Sequence, residues 1–110
     1  MRQVLVKVYA SFCPAKETAQ KALAGACATA LGNEDWLIFD GDMLRISFEG
    51  LYFPLDEALQ ALKTELEPQS AGRLDYLDLE AWTLTRCLFE GGGFSISTRS
   101  LNHVLAYSGH

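Results

Sequence analysis

The chain has no apolar run approaching the roughly 18 to 20 residues that a bilayer-spanning helix needs. It also never gathers positive charge along its length: nine Lys and Arg are scattered against fourteen Asp and Glu, for a net charge of -5. Neutralising phosphates takes basic residues on one face, so this scatter argues against nucleic acid and anionic membrane as partners. Cysteine is sparse. Cys13, Cys27 and Cys87 are an odd set without metal-ligand spacing, which reads as reduced thiols in a cytosolic protein. The segment Met1 to Lys7 enters a strand pattern directly, without the apolar stretch and small-residue cleavage site of a secretory signal. No Pro- or Gly-rich linker divides the 110 residues. With 49% hydrophobic and 21% charged residues, the expectation is a single soluble, cytoplasmic domain.

The clearest local signal is a hairpin over residues 36 to 53. Two β-prone runs flank Asp40-Gly41-Asp42, where Gly supplies the positive φ of a tight turn. In the second run Leu44, Ile46 and Phe48 alternate with Arg45, Ser47 and Glu49. Residues 3 to 9 alternate likewise, with Val4, Val6 and Val8 against Leu5, Lys7 and Tyr9. Pro14 is placed to start a helix ending near Leu31 and Gly32, with Ala19, Leu23 and Cys27 in its inner stripe. Pro54 starts a second helix, with Leu55, Leu59, Leu62 and Leu66 on one face. Arg73 to Leu77 is a short strand.

Asp78 is a good N-cap for a third helix over 79–90, although Trp82, Leu84, Arg86 and Leu88 also fit a strand. Gly91 to Gly93 reads as a flexible break, Phe94 to Ser97 as a short strand and 98–107 as a last helix. The order strand, helix, strand, strand, helix, strand over residues 1–77 implies an α+β fold. It is a ferredoxin-like, split βαβ arrangement: a four-stranded antiparallel sheet with two helices on one face. Residues 78–110 form a C-terminal helical extension.

On this fold the open sheet face shows Lys7, Tyr9, Arg45 and Ser47, and the extension adds Trp82 and Arg86, four apart on a helix and spaced for stacking. These six form the expected surface for a protein partner or a second copy. The alternative site is a face of the last helix carrying Arg99, His103 and Tyr107 beside Asn102, suited to a small anionic ligand or acid–base chemistry.

Cys13 is a candidate reactive thiol, since a helix N-terminus and a nearby cation, Lys16, lower a thiol pKa. The run Val6 to Pro14 resembles the strand and Cys-Pro turn of glutaredoxins, which would imply redox chemistry at Cys13. Lys16 stands where the second Cys of a Cys-x-x-Cys pair would be. Gly91-Gly92-Gly93 lacks the flanking strand, helix and Lys of a phosphate loop. The acidic residues near Asp40 and Asp75 do not follow a calcium-loop pattern. The sequence therefore names no catalytic residue, metal or cofactor. Its leading reading is a non-enzymatic interaction or regulatory module.

Overall fold

The computed structural model describes residues 3–102. Its elements are β1 (Val6–Cys13), α1 (Glu17–Ala26), β2 (Leu31–Gly32), β3 (Leu37–Asp40), β4 (Met43–Tyr52), α2 (Leu55–Glu65), β5 (Ala71–Asp78), β6 (Thr83–Glu90) and β7 (Gly93–Ser100). All seven strands join one antiparallel sheet in the order β2-β4-β1-β5-β6-β7, with β3 also on the β2 edge of β4. The expected four-stranded ferredoxin-like sheet with a helical extension is not what the chain forms. The segment assigned to that extension instead supplies two further strands.

Alternation decides which face is buried. In β1 and β4, Val6, Val8, Phe12, Leu44, Ile46 and Phe48 point into the core beneath the two helices. Ala19 and Leu23 of α1 and Ala58 and Leu62 of α2 close that core from above. Small residues let chain segments meet closely. A Cβ on Gly72 would lie 2.1 Å from the Ser11 carbonyl oxygen and 2.5 Å from the Phe12 ring. The empty position seats Phe12, which meets Phe94 edge-on at 6.1 Å. At the far edge Asn33 bridges the gap between β2 and β3. Its amide donates to the Ser47 carbonyl at 3.0 Å, and its side-chain oxygen accepts from the Glu49 N–H at 2.9 Å.

Several element boundaries differ from the sequence expectation for local reasons. β1 runs on past the alternation read over residues 3 to 9, because residues 10–12 pair with both β4 and β5 and Cys13 pairs with β5. The first helix begins at Glu17 rather than Pro14. Ala15 is buried with its N–H donating to the Asp42 carbonyl at 2.7 Å, and Lys16 stays extended at φ -101 and ψ 164, so the helix starts only after it. The helix stops at Ala26, and Leu31–Gly32 joins the sheet instead.

Residues 79–90 are not a helix. Asp78 accepts from the N–H groups of Glu80 and Ala81 at 3.0 and 2.9 Å, the pattern of a helix cap, but Trp82 then adopts φ +60 and turns the chain back. The period-two alternation of β6 buries Cys87 and Phe89 on the helix side. Gly91 and Gly92, expected as a flexible break, have φ +62 and +87. Two positive φ values in succession make the tight turn that pairs Glu90 with Gly93. Residues 98–100 belong to β7 rather than to a last helix, and 103–107 lie outside the described residues.

Candidate functional site

One face of the sheet is covered by the two helices; no described helix lies over the other, although Leu84 of β6 is buried on that side. The pairing registers set this open face out in rows across the strands. One row, from β3 to β6, reads Ile38, Arg45, Ser11, Arg73, Leu88. The next, from β4 to β7, reads Ser47, Tyr9, Asp75, Arg86, Ser97. A third reads Glu49, Lys7, Leu77, Leu84, Arg99. A shallow concavity of about 740 Å³ lies over the first two rows.

The rows concentrate positive charge. All four arginines among the described residues, Arg45, Arg73, Arg86 and Arg99, stand on this face with Lys7, against Glu49 and Asp75 within the rows and Asp40 and Glu90 on the same side of β3 and β6. The helices and their flanks instead carry Glu17, Asp56, Glu57, Glu65 and Glu67 against Lys16, Lys21 and Lys63. Within the face Asp75 is the hub. Arg86 reaches it through Nε to Oδ1 at 2.9 Å and Nη2 to Oδ2 at 3.1 Å, and Arg73 Nε lies 3.5 Å from Oδ2. The hydrogen bond to Asp75 holds the Arg86 guanidinium above its ordinary pKa. Tyr9 donates its hydroxyl to Glu49 at 2.9 Å, and desolvation followed by that bond raises the phenol pKa.

The structure brings Lys7, Tyr9, Arg45 and Ser47 together on this face, and Arg86 joins them from β6 rather than from a helix. Trp82 stands apart in the β5–β6 turn. Its indole N–H donates to Asn102 at 2.9 Å instead of stacking on Arg86. Arg99 is a strand residue, so its helical spacing to His103 does not hold; His103 and Tyr107 lie outside the described residues. Three residues that sequence reasoning did not select, Ser11, Arg73 and Asp75, are central to the face. The alternation of Arg73 and Asp75 with Gly72, Leu74 and Tyr76 carried that signal.

Cys13 is half-buried, and its thiol donates to Asp42 Oδ1 at 3.5 Å. Desolvation, then that carboxylate, raises its pKa, so its surroundings disfavour the thiolate. Lys16 does not face it but pairs with Glu67 at 2.5 Å. Among the described residues no three His, Cys, Asp or Glu side chains form a cluster able to hold a metal ion. No described helix is long and apolar enough to cross a membrane. No protein-family model matches the chain, no curated protein matches it, and no solved structure matches its fold.

Proposed function

We propose that this chain is a non-enzymatic interaction or regulatory module whose open sheet face receives a protein partner. One observation carries the reading: the neighbouring strands β1 and β4 bury Val6, Val8, Phe12, Leu44, Ile46 and Phe48 on one side and leave Tyr9, Ser11, Arg45, Ser47 and Glu49 exposed on the other. An antiparallel sheet tolerates one solvated face, and mixed aromatic, arginine and small polar side chains are the composition favoured at interfaces.

Site-specific photocrosslinking in cells tests the reading, with the photoreactive residue placed at Ser47 on the face or at Gln60 on the outer side of α2. Both positions are exposed. The expected result is a discrete crosslinked protein from Ser47 and none from Gln60. Crosslinks from Gln60 alone, or from neither, would remove the open face as the partner surface.

A further inference from the structure

We propose that the row Arg45–Ser11–Arg73 is a clamp for the carboxylates of an acidic segment in a protein partner. The inference rests on the open-face reading above and names the partner's chemistry. Arg45 and Arg73 flank Ser11 on the two neighbouring strands, so their backbones stand about 10 Å apart, two strand spacings, across a short side chain. All three residues are exposed. Arg45 makes no salt bridge among the described residues. Arg73 touches Asp75 only through Nε at 3.5 Å, because Arg86 occupies that carboxylate at shorter range. Two guanidinium forks therefore remain open to bidentate carboxylates, their preferred partner geometry.

Apolar side chains bound the row. Ile38 at one end and Leu88 at the other are 41% and 44% exposed, suited to aliphatic side chains beside the acids. Charge complementarity selects the partner. The helix layer is acidic and repels an acidic chain, while the face that gathers the arginines attracts it and fixes its orientation. A continuous polyphosphate is a poorer fit. Glu49 and Asp75 interrupt the positive field, and the one aromatic residue in these rows, Tyr9, has its hydroxyl engaged by Glu49 and offers no run of stacking platforms.

The test is fluorescence anisotropy with a labelled synthetic peptide of alternating Glu and Leu, the same peptide with Gln for Glu, and a single-stranded oligonucleotide of equal charge. The Glu peptide is expected to bind, and the Gln peptide to bind roughly tenfold more weakly or worse. R45Q/R73Q should weaken the Glu peptide by about tenfold. K21Q/K63Q, which removes the same charge from the helix layer, should change it by less than about twofold. R45E, at an exposed position outside any described ion pair, repeats the loss in a variant whose fold is under no threat. No binding of the Glu peptide, equal sensitivity to both double variants, or tighter binding of the oligonucleotide overturns the proposal. If Ser47 still crosslinks a partner when the peptide fails, only the acidic chemistry falls. If both fail, the interaction reading falls with it.

Discussion

Arg86 and Asp75, directly opposite each other on β6 and β5, are joined by two hydrogen bonds, Nε to Oδ1 at 2.9 Å and Nη2 to Oδ2 at 3.1 Å. The Asp75 side chain is only 15% exposed, whereas that of Arg86 is 42% exposed. Asp75 thus serves as an internal anion in the middle of an arginine-rich face, occupying the position that an external carboxylate would compete for.

This arrangement predicts opposite effects on stability and binding. Asp75→Asn removes the charge that engages Arg73 and Arg86. Half-exposed pairs of this kind contribute roughly 0.5–1 kcal/mol, so urea denaturation should show a loss of about that size. The same variant should bind the Glu-containing peptide more tightly than the unaltered protein, because two arginines are released to it. Weaker binding by a folded Asp75→Asn variant would contradict the assigned role.

Gly72 and Gly50 mark places where the sheet leaves no room for a side chain. A Cβ on Gly72 would lie 2.1 Å from the Ser11 carbonyl oxygen, and one on Gly50 would lie 2.1 Å from that of Leu31. Neither backbone neighbour can rotate away. Gly72→Ala and Gly50→Ala should each cost about 1–3 kcal/mol through overpacking. Gly25→Ala, with open space around it, should be neutral or stabilising. Denaturant midpoints for the three variants check the ordering.

The thiols should divide by burial. Burial pushes Cys27 up to about 12 and Cys87 up to about 11. Both therefore hold their protons more tightly in the folded state than in the unfolded chain. Their contribution to stability is intact below the ordinary thiol value of 9.0 and is lost as pH rises from there through about 11 to 12. Tyr9 and Tyr76, also raised, act in the same alkaline direction. Thermal melts across that range should show a falling Tm. In the native protein near neutral pH a thiol reagent should modify Cys13 alone, and all three cysteines once urea is added. Rapid native labelling of Cys27 or Cys87 would contradict the packing described.

Elements with strong local periodicity were legible before the fold was known. The Gly41 turn, the alternation of β4 and the leucine face of α2 need only near neighbours to specify them. The third helix was not legible correctly, because Asp78 does cap amides as a helix N-cap would. The next residues to matter, Trp82 at φ +60 and β6 pairing with β5 and β7, are decided by tertiary contact. Four face residues, Lys7, Tyr9, Arg45 and Ser47, followed from alternation alone. The adjacency of the clamp residues Ser11 and Arg73 to Arg45 did not, because only the pairing register of three strands sets them side by side. Alternation within a strand tells which side each basic residue takes, but the same registers are needed to show that Lys7, Arg45, Arg73, Arg86 and Arg99 share one face.

The most direct test is amide chemical-shift mapping while the Glu-containing peptide is titrated into the protein. The largest changes are expected on Ser11, Arg45, Ser47 and Arg73, with Glu17–Ala26 and Leu55–Glu65 unmoved. Changes concentrated on those two helices, or none at peptide concentrations that saturate the anisotropy signal, would contradict the open sheet face as the binding surface.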